Sequence, residues 1–505
     1  MRRRGGGRWL YLAAVGVAAV GLLPIAFIVG ETLSLGGTQI ASSILRERVG
    51  ALLVNTVTLT AVTTLCCSLV GLGAAWLVER TDVPARRLWA ALLVAPLAVP
   101  AFVTSYAWAS LQPGFEGLPA AALITTLAYF PFVYLPAAAA IRGLDPGLEE
   151  AAAALGFGPV RVFLRVTLPQ LRLALLGGAL LVALHVLAEF GALQMIGYET
   201  FTVAILTQYQ SSFNGSAATM LAGVSVILCL GLLLLEALLR GRARYSRIGS
   251  GAARVERTVA LRAWRWPVTA VVAAVLIAAI GVPGVAVSRW LSYGADVADE
   301  LLPALRTSLE LGIAGAVVAT LVGLPLAWLA VRHRSALTAI LERCTYVSSA
   351  LPGVVVALAL VTVCARWFDA LYQTIALLIV GYVILFLPRA IVSLRPAIAQ
   401  ARPEFDDAAR SLGASHLRRV GRIALPLLSP GLASAAAFVF VAVITELTAT
   451  LLLAPAGVNT LATRFWSYSD ELDYAAAAPF AAAMVLLSVP FTYLILQQSR
   501  RMRRR

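Results

Sequence analysis

The amino-acid sequence predicts an all-α, polytopic membrane protein of about twelve transmembrane helices, arranged as two parallel six-helix repeats. Three observations predict it: a composition that only a bilayer can solvate, apolar runs of spanning length from end to end, and an internal duplication.

Of 505 residues, 60% are hydrophobic and only 13% charged, whereas soluble domains carry roughly 25% charged residues. The mean hydropathy is +0.87. A soluble fold of this composition would lack the polar groups to cover its surface. A spanning helix needs about 20 apolar residues. Twelve such runs lie near 9–29, 52–78, 89–110, 119–141, 173–196, 217–239, 267–288, 307–331, 339–364, 371–393, 431–454 and 475–496. Hydrocarbon offers no water to backbone N–H and C=O groups, so long runs without β alternation form helices rather than a barrel. The first run follows Met1 and three arginines. Its apolar core, Trp9 to Val29, is longer than a signal-peptide core of roughly 7–15 residues, so it reads as an uncleaved first helix.

Charge sets the expected orientation. The chain contains no lysine, so all 40 basic residues are arginine, and the net charge is +15. Alternate loops of the twelve-span reading hold 34 and 6 of them. The positive-inside rule places the arginine-rich loops, and with them both termini, in the cytoplasm. This accounts for the basic pI without nucleic acid, whose binding surfaces interleave aromatic and basic residues on a soluble face. Cys66, Cys67, Cys229, Cys344 and Cys364 lie in or beside spans, without histidine at metal-ligand spacing. They read as small core residues.

The duplication appears on shifting the chain by 252: Asn55-Thr56 meets Thr307-Ser308, Leu69-Val70-Gly71 meets Leu321-Val322-Gly323, Ala75-Trp76-Leu77 meets Ala327-Trp328-Leu329, and Pro100 meets Pro352. Later the offset becomes 257, pairing Pro146 with Pro403, Gly156 with Gly413, Leu168-Pro169 with Leu425-Pro426, and Glu189 with Glu446. Both halves begin on the same side, so the repeats are parallel, about an axis along the membrane normal. The expected organisation is a tail, first helix and outer loop (1–49), a first repeat (50–240), a cytoplasmic linker (241–266), the first helix and outer loop of the second half (267–304), a second repeat (305–496) and a basic tail (497–505). The linker is rich in Arg, Gly and Ser, a flexible composition.

One cytoplasmic loop in each half, 145–169 and 402–426, reads as helix, turn, helix. Asp145 can cap and Pro146 suits the first helical position. Glu149, Glu150, Asp406 and Asp407 fill the first turns, where the helix dipole favours carboxylates. Gly156 and Gly413 end the helices in the left-handed conformation that glycine tolerates. Pro169 and Pro426 are expected to break the chain before the next span.

This pattern resembles the signature loop of binding-protein-dependent ABC importer permeases: Glu-Ala-Ala, three residues, Gly, nine residues, Ile, one residue, Leu-Pro. Glu150-Ala151-Ala152, Gly156, Val166, Leu168 and Pro169 match with Val for Ile. Asp407-Ala408-Ala409, Gly413, Ile423, Leu425 and Pro426 match with Asp for Glu. The resemblance covers about 50–240 and 305–495. It implies the type I ABC importer transmembrane fold in a bacterial cytoplasmic membrane, with each loop docking into an ATPase subunit. It also implies two copies of that ATPase, which hold ATP and Mg, an extracytoplasmic substrate-binding protein, and no cofactor on this chain. A Walker A loop needs lysine, and the chain has none, so ATP hydrolysis is expected elsewhere.

Within the family, the fused form is most similar to ferric iron permeases, through APLAVPAFVTSYAW (95–108), LHVLAEFG (184–191) and ITELTATLLL (444–453). Thiamine, phosphonate and polyamine permeases are close relatives. An ion-coupled secondary transporter of 6+6 design explains the spans but not the paired loop. A membrane-embedded enzyme has little support: His185, His333 and His416 are the only histidines, and neither HExxH nor GxSxG occurs.

Glu189 and Glu446 fall inside spans. A carboxylate at mid-bilayer costs about 2.5–3.5 kcal/mol, so each is expected to face the bundle interior or water. They read either as a pathway-lining pair, suited to a hard cation, or as structural hydrogen-bond acceptors. His185, one turn before Glu189, is expected as its partner rather than as an iron ligand. Glu236 and Glu310 lie nearer span ends and are expected either to snorkel or to be paired locally. Asp296, Asp299, Glu300, Asp470, Glu471 and Asp473 are outer-loop acids, either solvated or docking the binding protein. No cluster has the spacing of a metal site.

Overall fold

The computed structural model describes residues 6–34, 46–210, 215–240, 259–333, 335–401 and 403–501. Outside them fall most of the expected linker (241–258), much of the first outer loop and both extreme termini. Among the described residues every regular element is a helix, and β pairing is a single isolated bridge between Thr81 and Val259.

The first half contains α1 (Gly6–Ser34), α2 (Glu47–Arg80), α3 (Arg86–Leu92), α4 (Ala101–Leu111), α5 (Gly117–Tyr129), α6 (Pro131–Arg142), α7 (Pro146–Ala154), α8 (Val160–Ala188), α9 (Gly191–Met195), α10 (Phe201–Gln210) and α11 (Gly215–Arg240). The second contains α12 (Arg262–Leu291), α13 (Ala298–Arg332), α14 (Ala336–Ser349), α15 (Gly353–Trp367), α16 (Ile375–Gln400), α17 (Pro403–Ser411), α18 (Gly421–Ile444), α19 (Thr448–Leu453), α20 (Leu461–Asp470) and α21 (Tyr474–Arg501).

Eight of these, α1, α2, α8, α11, α12, α13, α16 and α18, are long and apolar enough to cross a bilayer. Three more expected spans are bent pairs: α3 with α4 by 88°, α5 with α6 by 43°, and α14 with α15 by 99°. The apolar part of α21 is shorter, Tyr474–Pro490. The expected spans 89–110 and 339–364 are therefore not straight. Repeat-related Pro100 and Pro352 stand at their corners, both with ψ 143°. A residue before proline is pushed out of the helical region, and Val99 is extended accordingly, with φ −102° and ψ 114°.

The expected break at Pro169 and Pro426 is absent, because the helix widens instead. π turns occupy Phe163–Thr167, Ile277–Gly281 and Val420–Ala424, each immediately before a residue followed by proline: Leu168-Pro169, Val282-Pro283 and Leu425-Pro426. Proline has no N–H, and its ring presses on the carbonyl four residues back. Stepping the ladder to the fifth residue, as Leu168 N–H to Phe163 O and Val282 N–H to Ile277 O do, lets the helix run on. The carbonyl of Ala278, five before Pro283, takes the Trp108 indole N–H at 3.3 Å instead.

The chain forms two compact units that do not follow its halves. One gathers the described residues of Met1–Leu45, Ala204–Val226 and Gly294–Leu494. Its centre is α13, α16 and α18 packed together. Here α1 packs against α13, α14 and α15, and Arg366 grips Glu31 with two bonds of 2.8 and 2.9 Å. The first helix of the chain thus belongs with the second repeat.

The other unit gathers the described residues of Arg46–Val203, Ile227–Tyr293 and Ile495–Arg505. Its centre is α2, α6 and α8, and α12 packs on α4. Small residues permit close helix approach in a bilayer. A Cβ on Gly71 would stand 2.8–2.9 Å from Val133 Cβ, Phe130 O and Tyr134 N, so glycine is required there.

Candidate functional site

The two signature loops adopt the same backbone. In the first, extended Asp145 accepts the Gly147 N–H at 3.0 Å and starts α7. Gly156 ends it at φ +84°, with Gly156 N–H to Ala153 O at 2.9 Å and Phe157 N–H to Ala152 O at 3.2 Å. In the second, Gly413 ends α17 at φ +77°, with Gly413 N–H to Arg410 O and Ala414 N–H to Ala409 O, both 3.0 Å. This paired closure satisfies the last carbonyls and requires a positive φ that glycine supplies.

One face of α7 is held and the other presented. Ala152 is buried and Glu149 half-buried, while Glu150, Ala151 and Gly156 are exposed. Leu148, Leu155, Val160 and Leu164 are large, apolar and exposed, Leu155 by 77%. In the second loop Phe405 and Leu412 are exposed, Leu412 by 86%, as are Ala408 and Gly413. Leu168 is half-buried, and Pro169, Leu425 and Pro426 are exposed. The side chains of Asp406 and Asp407 lie outside the described set, though their backbone forms the first turns of α17. A short helix with large apolar side chains exposed on and beside it has the character of a surface that could fill a groove.

The root of the first loop was not legible in the sequence. Glu149 Oε1 accepts from Arg80 Nη2 at 3.3 Å and from the Thr167 hydroxyl at 2.8 Å. Beside Arg80, Glu79 takes Arg142 from the end of α6. The Glu79 and Arg80 side chains are 3% and 7% exposed, so both charges need these partners. Phe157 lies under the guanidinium groups of Arg161 and Arg165, at 5.7 and 5.9 Å. In the second half, Arg332 occupies the place of Arg80 and donates to the carbonyls of Ile398, at 3.0 Å, and Ala401. The only hint in the sequence was the adjacent charge pair at the end of a span.

Glu189 and Glu446 do not sit mid-helix: α8 ends at Ala188 and α18 at Ile444. Each glutamate stands in the gap before a short helix and caps it. Glu189 Oε1 accepts the Ala192 N–H at 2.9 Å, and Glu446 Oε1 accepts the Ala449 N–H at 2.9 Å. Glu189 Oε2 takes the Tyr129 hydroxyl. Thr450 donates to Glu446 O at 2.9 Å and pairs with Tyr382 at 2.8 Å. Both glutamates are half-buried. His185 Nδ1 lies 2.7 Å from Leu181 O, and its ring centroid is 4.3 Å from that of Phe132 and 5.5 Å from that of Tyr129.

Glu236 and Glu310 pair with Arg240 and Arg306 one turn away, the second of the two alternatives. Of the outer acids, Glu300 holds Tyr468 at 2.9 Å and Arg464 at 3.3 Å, and Asp473 caps Ala476 N–H at 3.0 Å. No group of three or more His, Cys, Asp or Glu able to hold a metal occurs among the described residues.

Comparison with known proteins matches residues 68–245 and 319–504 to the model of the binding-protein-dependent transport system inner membrane component, one copy per half. The Fe(3+)-transport system permease protein FbpB 2 of Haemophilus influenzae is 34% identical over 486 residues, covering 95% of this chain and 96% of that one. The ferric transport system permease protein FbpB of Actinobacillus pleuropneumoniae is 24% identical over 398 residues, 74% of this chain and 57% of that one. The sulfate transport system permease protein CysT of Salmonella typhimurium is 30% identical over 252 residues, 46% of this chain and 90% of that one.

Proposed function

The chain belongs to the family of binding-protein-dependent transport system inner membrane components, as a fused two-half ABC permease, and from this we propose that it imports ferric iron on energy supplied by separate ATPase subunits. The single observation that carries the coupling is the pair of loops with one backbone: α7 and α17, each closed by a glycine at positive φ. Iron is supported by the near full-length likeness to a permease named for Fe(3+) transport. The sulfate permease is matched over less than half of this chain, so an oxyanion cargo has weaker support. Family membership sets aside the ion-coupled carrier.

In this reading two copies of the ATPase, holding ATP and Mg, receive α7 and α17. Glu149, Glu150, Ala151, Gly156, Leu168 and Pro169 form one coupling loop; Asp406, Asp407, Ala408, Gly413, Leu425 and Pro426 form the other. Exposed Glu150 is free to meet a cation in the cleft, while Glu149 is engaged at home by Arg80 and Thr167. Closure of the ATPase pair on ATP displaces both loops and drives the permease between inward- and outward-open states. The arginine-rich loops and both termini face the cytoplasm, and a substrate-binding protein delivers iron on the other side. Glu189, Glu446 and His185 line the pathway: both glutamates are half-buried at helix breaks rather than sealed in a helix.

Uptake of radiolabelled ferric iron by proteoliposomes, with ATP, the ATPase and the binding protein, tests the cargo. Iron is expected to accumulate and sulfate not. Accumulation of sulfate without iron would assign an oxyanion instead.

A further inference from the structure

The stretch joining the two halves ends in a defined seat. Val259 N–H donates to Arg80 O at 2.7 Å, Asp82 N–H donates to Val259 O at 3.3 Å, and Leu261 N–H donates to Asp82 Oδ1 at 2.8 Å. The first two form the isolated parallel bridge between Thr81 and Val259. Arg80 is thus held twice. Its carbonyl anchors the end of the linker, and its guanidinium holds Glu149 in the first turn of α7. Glu149 also takes Thr167 from the π turn at the head of α8, so one carboxylate joins both arms of the loop. Next door, Glu79 holds Arg142, three residues before the cap Asp145.

The chemistry makes this junction stiff. Main-chain hydrogen bonds are directional and weaken steeply on misalignment. A buried charge stays put only while paired. A shift of 259–261 therefore turns the Arg80 peptide, and the buried guanidinium carries the shift to Glu149. The second half is wired differently. Val331 stands where Glu79 would, and Arg332 donates to main-chain carbonyls at the end of α16.

We infer that Arg80 is a positioning residue through which the end of the linker sets the position of the first coupling helix, α7, while α17 is independent of it. This rests on the reading of α7 as an ATPase-docking helix.

The test uses the full chain in proteoliposomes with its ATPase subunit and substrate-binding protein. Val259→Pro removes the N–H that reaches Arg80 O and alters no charge. Arg80→Gln, Arg80→Lys and Arg332→Gln complete the set. Two quantities are read: the ratio of binding-protein-stimulated to basal ATP hydrolysis, and hydrogen exchange of the permease at 145–167 and 402–424. Val259→Pro and Arg80→Gln are expected to raise exchange at 145–167 alone and to lower the stimulation ratio about fivefold, the lower end of ordinary coupling between sites, with ATPase still retained. Arg80→Lys recovers part of the ratio, and Arg332→Gln leaves exchange at 145–167 unchanged. Unchanged exchange at 145–167 in Val259→Pro, or an equal rise in both loops, overturns the inference. If the wild type itself retains no ATPase, the docking reading falls, and the exchange pattern still decides whether the linker positions α7.

Discussion

Thr56 and Ser308 do the same job in the two halves. Thr56 Oγ1 accepts the N–H of Phe201, first residue of α10, at 3.2 Å, and Ser308 Oγ accepts that of Leu461, first residue of α20, at 2.8 Å. All four groups are buried, and a buried N–H left without a partner costs about 1–3 kcal/mol. Thr56→Val and Ser308→Ala are each expected to destabilise the protein by that amount, read as a drop in thermal midpoint in detergent. No drop in either would mean that water replaces the hydroxyl. At Glu189, Gln keeps an acceptor for the Ala192 N–H, so Glu189→Gln is expected to fold. If the carboxylate lines the pathway, iron uptake falls, as befits a functional intramembrane acid; undiminished uptake would leave it a cap alone. The caps were legible residue by residue, since Asp145, Gly156 and Gly413 act through neighbours in sequence. Tyr129 and Arg80 were not, because their partners lie 60 and 69 residues away and packing alone brings them together.

At the scale of elements, proline carries two different messages. At Pro100 and Pro352 it turns the chain through 88° and 99°. At Pro169 and Pro426 it is absorbed by a π turn, and the helix continues. Sequence alone does not separate these outcomes, since both obey the loss of one N–H. The difference is what comes before: the helix ends in a tight turn at Ala95–Ala98 and Val99 is extended, whereas Phe163–Thr167 widens within the helix. Pro169→Ala restores the donor, so the turn at 163–167 is expected to tighten and its amides to exchange more slowly. Taking up the extra residue of the widened turn rotates the coupling loop against the rest of α8, from Leu168 on, by about 100°, the angle per residue of a helix. Stimulated hydrolysis is then expected to fall while membrane insertion persists. Unchanged exchange at 163–167 would mean that the π turn is fixed by its neighbours, not by proline. Likewise, Gly71→Leu would drive a side chain into Val133 and Phe130 at 2.8–2.9 Å. Overpacking of this kind costs about 1–3 kcal/mol, visible as lower yield and thermal midpoint.

At the scale of the molecule, composition, the arginine count and the duplication were enough to give an all-helical, duplicated membrane protein. They could not show that each compact unit takes the first helix of the other half, because helix partners depend on packing between distant segments and the repeat pairs like with like. Glu31 and Arg366 are 335 residues apart and meet in one unit. The proposed coupling runs through two glycine-closed loops to an ATPase on another chain. The most direct measurement is ATP hydrolysis in proteoliposomes holding the permease and its ATPase, with and without the iron-loaded binding protein, for the wild type and for Gly156→Pro/Gly413→Pro. Proline fixes φ near −65° and cannot adopt the positive φ at either site. The wild type is expected to retain the ATPase and to be stimulated, and the double variant to insert into the membrane but lose both. A double variant that binds the ATPase and is stimulated like the wild type would contradict the proposed coupling.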